Sequence, residues 1–434
     1  MIERYCTKEM SEIWAEEVKF ALWLKIELLA LEARMNLGEI SSDVYQRICE
    51  QARFDIARIN EIEQEIDHDL LAFVNCVQEN LDSDIRGEFH NKMTSYDTEE
   101  IPMVIRIINS LDVICLELER LQLMIVNKAA EYRNIIMIGK THGQHAEPIT
   151  FGLRLLGWAD AIRRDVDRLL QVRKEIAVGK LSGAVGVYGE LDPRIEEHVC
   201  QKLNLEPAKH STQIIHRDRI AHVMSTLAVL AGNIEHIALN FRKMADSDIR
   251  EVREPFGKKQ KGSSRMPHKK NTIVTERLCG MARVVRVNCL VALENIATWE
   301  ERDISQSAPE RIILPDAFHL VHYMTQKLTW LMSNMEVFPA QMTANLNKTF
   351  GCVFSGPLKD MFISWGMDAE QAYRLVQEKS FQAMEEQADL LSLLQKDPTV
   401  QEFLTSDRKK ELLECFDPWR GLKHLDAIFS RFGR

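Results

Sequence analysis

The stretch TLAVLAGNIEHIALN, residues 226–240, decides the fold. It sits inside a longer apolar series: Ile220, Val223, Leu227, Leu230, Ile234, Ile237, Leu239 and Met244. Most steps in that series are three or four residues, the spacing of one face of a helix. The stretch is also apolar on more than one stripe, and a helix of that kind is buried on several sides. In a long bundle this points to packing against helices of other subunits; the alternative is a central helix of a monomer. Outward from it, Leu111–Val126 and Leu153–Leu170 repeat the pattern. Residues 1–101, 149–192, 208–254, 268–308 and 358–397 contain no proline, so nothing there breaks a helix interior. Strand-like alternation is confined to short pieces such as Asn134–Ile138. The expected fold class is all-α.

Soft boundaries fall at the polar segment Met93–Pro102 and near Phe338–Phe350, where the apolar pattern loosens. Pro398 and Pro418 punctuate a short helical C-terminal region. With 434 residues the chain is long enough for two or three domains. A net charge of −10 speaks against a general nucleic-acid binder, which needs a clustered basic face. It leaves room for a local basic pocket that takes an anionic metabolite. The nine cysteines are odd in number and widely spaced, with no C-x-x-C, which disfavours a disulfide framework or a zinc site and fits a reducing cytosol. The start, MIERYCTKEM, lacks the apolar core of a signal peptide, and no apolar run is long enough to span a membrane. A cytoplasmic location is expected.

Two segments carry chemistry. FGKKQKGSSRMPHKK, residues 256–270, holds six Lys/Arg residues, two glycines and a proline, so it is a loop. Alone it reads as a solvated basic loop. Yet a loop between long helices is costly unless it serves a purpose, and cations concentrated in an acidic chain focus anions locally. Serines among lysines supply a hydroxyl whose alkoxide the cations stabilise. IGKTHGQHAEP, residues 138–148, is not a phosphate loop, because Asn134 stands where that motif needs glycine. His142 and His145 lack a third metal ligand in the segment; a general acid–base role for His142 is the competing reading. HRD at His216–Asp218 has no kinase context. Asp67–Asp69 and His90–Asp97 are polar clusters between apolar runs, and Arg302, Ser307 and Arg311 stand close together in WEERDISQSAPERIILPD, where arginine forks suit phosphate or carboxylate.

Taken together, GSSRMPHKKN (262–271), GKTHGQHAEPITFGLRL from Gly139, GKLSGAVG from Gly179, Ser211–Gln213 and ERDIS…ERIILPD resemble the fumarase/aspartase superfamily, and within it the adenylosuccinate lyase family. The likeness covers nearly the whole chain. It implies a three-domain, almost all-α fold: an N-terminal helical domain (1–94), a central long-helix bundle (95–342) carrying the signature loop 256–271, and a C-terminal helical domain (343–434). It implies a homotetramer whose bundles form a twenty-helix core, with active sites shared between three subunits. The implied reaction is elimination of fumarate from a succinylated nucleotide, without cofactor or metal. By the same resemblance Ser263 is the general base and His142 the general acid, with His68 supporting the acid and Lys269 lowering the serine's pKa. Asp69 falls in the same matched motif at the substrate site. Thr94, Ser95, Ser264, Lys269 and Asn271 match donors to the substrate carboxylate, and Gln213 a substrate contact. Arg4, Tyr5, Arg302, Ser307 and Arg311 match the set that holds the nucleotide phosphate, which a fumarase or aspartase would not need.

The chain departs from the pattern at Asp67 (usually basic), Lys92 (usually glycine), Glu100 (commonly aspartate), Thr272 (usually proline) and Gly356-Pro357 (Gln-Arg in close relatives). These changes surround the pocket rather than remove its acid, base or phosphate residues. One expectation is a charge swap in which Lys92 compensates for Asp67. Another is a paralogue that eliminates fumarate from a different N-succinyl compound. A non-catalytic structural descendant would be marked by loss of Ser263 or His142, and both are present.

Overall fold

The computed structural model describes residues 1–433. Five long helices dominate it: α1 (Ser95–Glu131), α2 (Phe151–Ile176), α3 (Asp218–Ala245), α4 (Ile273–Glu294) and α5 (Ser307–Asn334). At about 1.5 Å per residue, α1 alone is about 55 Å long. Strands among the described residues are short pairs, so the all-α expectation holds. Two prolines stand inside long helices without ending them. Pro102 lies within α1 and Pro315 within α5. Each withholds an N–H from the carbonyl four residues earlier, so each helix runs on through one missing ladder bond, held by the packing of its buried face.

The quoted stretch lies within α3. Leu227, Leu230, Ala231, Ile234, Ile237 and Ala238 are fully buried, whereas Val229 and Leu239 are exposed. Leu239, counted in the main stripe, therefore lies off the buried face. Exposed apolar residues recur elsewhere on the long helices: Leu116 and Leu123 on α1, and Val284, Val287, Leu290 and Leu293 on α4. The α4 residues follow one another at steps of three, so they form a continuous apolar stripe in the single chain.

The chain divides into two compact units. The first comprises Met1–Glu119, Arg163–His236 and Arg277–Lys327. Its N-terminal part is a small aromatic core in which Phe20, Trp23, Phe73 and Phe89 pack together, Phe20 stacking on Phe73 with ring centres 5.8 Å apart. Deeper in this unit Arg217, 1% exposed, reaches Glu100 at 2.8 Å and Glu310 at 3.0 Å. Glu100, a departure from the family's aspartate, thus has a structural partner.

The second unit comprises Arg120–Ile162, Ile237–Glu276 and Leu328–Arg434. Short helices between residues 355 and 430 build its own core around Leu358, Phe362, Leu390, Leu394 and Leu412. The strand-like piece at Asn134–Ile138 becomes part of an antiparallel hairpin, β1 (Ile136–Thr141) with β2 (Gln144–Thr150). Its tip is His142-Gly143, with φ of +53° and +77°. Positive φ at both central residues is the signature of the two-residue turn that matches strand twist. The helix Ser355–Ser364 accommodates Gly356-Pro357 in its first turn, where proline costs no hydrogen bond.

Arg217→Met is expected to destabilise the chain by about 3–5 kcal/mol, because two buried carboxylates lose their shared cation. Equilibrium denaturation against the unmodified chain measures this; a loss under about 1 kcal/mol would mean the triad does not hold the fold.

Candidate active site

In the first unit the site begins at the joint between two short helices. Asp67 ends Ile56–Ile66 in the left-handed conformation, φ +53°, and His68 caps Asp69–Gln78, its Nδ1 accepting the Leu71 N–H at 3.4 Å. Asp-His-Asp is therefore a C-cap followed by an N-cap, which presents His68 and Asp69 at a helix N-terminus. The start of α1 is built alike. Asp97 accepts the Thr94 N–H at 2.9 Å, a Thr-x-x-Asp pattern that orders the residues leading into Ser95.

Asp97 is more than a cap. Its other oxygen lies 2.7 Å from Lys180 Nζ and accepts the N–H groups of Ser182 and Gly183 at 3.0 and 3.2 Å. Both side chains are wholly buried. Lys180 also donates to the carbonyls of Gly183 and Gln213, at 3.2 and 2.9 Å. The Gln213 side chain in turn accepts from Arg302 Nη1 at 2.7 Å. Arg302 lies over the Tyr96 ring, 3.9 Å from its centre, and its Nε is buried without a hydrogen-bond partner among the described residues. One polar chain thus links Thr94, Gln213 and Arg302.

Ser307 opens α5 and Arg311 follows one turn later on the same face. Helix N-termini carry unpaired N–H groups and a partial positive charge, so this end favours anions. Arg311 is engaged by carboxylates: its Nη2 lies 2.6 Å from Asp69 and 3.7 Å from Glu99. His68, Asp69, Ser95, Arg302, Ser307 and Arg311 line one cavity of about 380 Å³, together with Asp67 and Glu99. Six sequence-predicted residues are therefore brought together by tertiary structure.

Arg4 and Tyr5 are not among them. They form a short 3-10 turn, and Tyr5 packs edge-on against Tyr323 with ring centres 5.4 Å apart. Tyr323 is twelve residues along α5 from Arg311, about 18 Å at helical rise. Within one chain, Tyr5 stands well away from the arginine it was expected to join.

In the second unit, His142 is exposed at the hairpin tip. The basic loop is closed at its base: Asn271 Nδ2 donates to the Gly262 carbonyl at 2.9 Å. A Cβ on Gly262 would stand 1.9 Å from the Lys269 carbonyl oxygen, so only glycine fits. Ser263 Oγ accepts the N–H groups of Arg265 and Met266 at 3.3 and 3.1 Å. Those bonds orient the hydroxyl oxygen and add partial positive charge to it, the direction that favours an alkoxide. Ser264 and Lys269 are exposed beside it. Thr272, where the family has proline, donates to Glu276 at 3.1 Å at the entry of α4.

Lys92 does not pair with Asp67; its ammonium lies 3.4 Å from Glu39. Its φ of +66° is left-handed, which explains why glycine is usual at this position. Lys92→Gly is therefore expected to leave KM within about twofold and to change stability by less than about 1 kcal/mol, read from initial rates and thermal unfolding; a several-fold rise in KM would restore the charge-swap idea. Sequence reasoning missed Asp97, Lys180 and Glu99. The first left a signal, the Thr-x-x-Asp cap before an apolar run. The other two left none, because their roles depend on burial.

Comparison with known proteins agrees with the geometry. Residues 5–287 match the family model described as Lyase, and residues 351–432 match Adenylosuccinate lyase C-terminus. The chain is 43% identical to an adenylosuccinate lyase of Synechocystis sp., over 99% of both chains. It is 42% identical to the adenylosuccinate lyase of Bacillus subtilis over the full length of each. Among solved structures, a fumarate lyase from Mesorhizobium sp. superposes with a TM-score of 0.89 at 22% identity, covering 99% of both chains. The 3-carboxy-cis,cis-muconate lactonizing enzyme of Pseudomonas putida superposes at 0.88 with 24% identity, covering 98% of this chain and 96% of that one. These likenesses carry the fold, and the end-to-end identity carries the kinship: the chain belongs to the adenylosuccinate lyase family of the fumarase/aspartase superfamily and is a carbon–nitrogen lyase.

Proposed function

We propose that the chain eliminates fumarate from adenylosuccinate to give AMP, and from SAICAR to give AICAR, in purine biosynthesis. The observation that carries this reading is the anion end of the cavity, where Arg302, Ser307 and Arg311 meet at the start of α5. A nucleotide phosphate suits two arginines and a helix N-terminus. Arg311 exchanges its carboxylate partner Asp69 for the phosphate when substrate enters.

The reaction removes a proton from the succinyl carbon beside one carboxylate and breaks the adjacent C–N bond. The electron pair of the C–H bond becomes the double bond of fumarate, and the departing nitrogen gains a proton. Ser263 takes the first proton and His142 gives the second. A serine hydroxyl is a weak base. The backbone donors at its oxygen and the cations of loop 256–271, Lys269 among them, favour the alkoxide, and closure of the loop excludes water. Thr94, Ser95, Ser264, Lys269 and Asn271 hold the substrate carboxylate as charge develops on it. Gln213 contacts the substrate with an orientation set by Arg302, Asp69 faces the substrate from the cavity wall, and His68 supports the acid.

Three subunits build each site of a homotetramer. The docking of Tyr5 on Tyr323, about 18 Å along α5 from Arg311, supports this, because Arg4 and Tyr5 then reach the phosphate from another subunit. The exposed apolar stripe on α4 supports burial against other subunits. The domain division at residues 94 and 342 and a cytoplasmic location belong to the same reading; no helix of the described residues is long and apolar enough to cross a membrane.

Purified protein mixed with adenylosuccinate should lose its substrate's ultraviolet absorbance, and SAICAR should be consumed in parallel. Fumarate released from neither would sink this reading. Activity on another N-succinyl compound instead would favour the paralogue. Ser263→Ala and His142→Ala should each lower kcat by about 10²–10⁴ while the oligomer, followed by sedimentation, stays intact. Retention of a tenth or more of the activity in either variant would reassign that role.

A further inference from the structure

Glu99 lies on α1 one turn after Ser95, on the face that lines the cavity. It also lines a second cavity, which shares Asp69, Ser307 and Arg311 with the first and is walled by Trp14, Trp23 and Leu314. Its side chain is 13% exposed, and its ion pair with Arg311 is long, 3.7 Å, because Asp69 holds the guanidinium at 2.6 Å. Glu99 therefore borders the same cavity as Arg302, Ser307 and Arg311, the end assigned to the substrate's anion.

We propose that Glu99 is a specificity-determining residue at this anion end: protonated, it donates a hydrogen bond to the phosphate held by Arg302, Ser307 and Arg311, and ionised, it competes with that phosphate for the arginines. This rests on the assignment of that end to a nucleotide phosphate made above.

The surroundings decide which form prevails. Burial raises the Glu99 pKa most, and the Asp69 carboxylate from helix Asp69–Gln78 raises it further. Arg311 and Arg302 oppose, Glu100 on its own helix adds to the rise, and the outcome is about 8. The other charged groups facing these cavities are Glu16 and Lys19 from helix Glu16–Asn36, Arg106 on α1, Glu310 on α5, and Glu63 with Asp67 and His68 around the helix joint. At pH 7 the carboxyl keeps its proton and is a donor. A neutral acid beside a phosphate oxygen forms a charge-assisted bond, whereas a carboxylate there meets a like charge. The sign follows: the binding-competent protonated form predominates below pH 7, is halved near pH 8 and is lost as pH rises further. With only the protonated form competent, apparent Kd scales inversely with the protonated fraction, so affinity falls about tenfold from pH 7 to pH 9.

The test is the pH profile of KM for adenylosuccinate, with AMP affinity by calorimetry in parallel, for the full chain and for Glu99→Gln and Glu99→Ala. The unmodified chain should weaken about tenfold between pH 7 and pH 9. Glu99→Gln, which keeps a donor and cannot ionise, should vary less than about twofold. Glu99→Ala should be equally flat but several-fold weaker at pH 7, with kcat following neither change. Matching profiles in the unmodified chain and Glu99→Gln, or a Glu99→Ala variant as tight as the parent at pH 7, would overturn the proposal while the lyase reading stands. Absence of adenylosuccinate turnover and of AMP binding by the unmodified chain at every pH would overturn both.

Discussion

The buried ion pair between Asp97 and Lys180 is the constraint on which the first unit's site depends. Each charge alone would cost several kcal/mol to remove from water. Here the carboxylate accepts four donors and the ammonium reaches two carbonyls besides its counter-ion. Those bonds end on the segments that carry Thr94, Gly183 and Gln213. The pair therefore trades ordinary stability for geometry: it fixes where the start of α1 stands relative to the loop after Gly179 and to Gln213, and through Gln213 where Arg302 points.

The same economy of shared partners marks the anion end. Arg311 is held by Asp69 and Arg302 by Gln213 and Tyr96, and deeper in the unit Arg217 is held by Glu100 and Glu310. Burial leaves Glu310 with a pKa raised to about 7 and Glu99 to about 8, although arginines stand beside both. An anion entering this cavity meets guanidinium groups whose directions neighbouring side chains already fix, so the cations need little reorganisation.

Three left-handed non-glycine residues stand beside the expected chemistry. His142 sits at positive φ at a hairpin tip, and Asp67 and Lys92 take left-handed backbone near the cavity-lining helices. Such positions cost energy and persist when the surroundings over-determine them. The hairpin fixes the direction in which the His142 backbone faces, and the closed base of the loop, Gly262 against Lys269, does the same for Ser263.

Much of this was legible from residue order alone. Apolar steps of three and four in 226–240, the long proline-free gaps and the basic Gly/Ser loop depend on local periodicity and backbone chemistry, which sequence carries directly. They determine a long-helix fold with one chemically active loop. The family motifs added the roles. What the chain order could not express is decided by burial and by distance across the fold. Leu239, two residues after the buried Ile237, points to the opposite face of α3 and is left exposed in the single chain. Lys92 found Glu39 rather than Asp67. Tyr5 docked on Tyr323, far along α5 from Arg311. Glu99 changed from an ordinary acidic residue in TSYDTEE to a carboxyl that keeps its proton at neutral pH. Each outcome turns on the dielectric and the neighbours that packing supplies, and those exist only once segments distant in sequence have met.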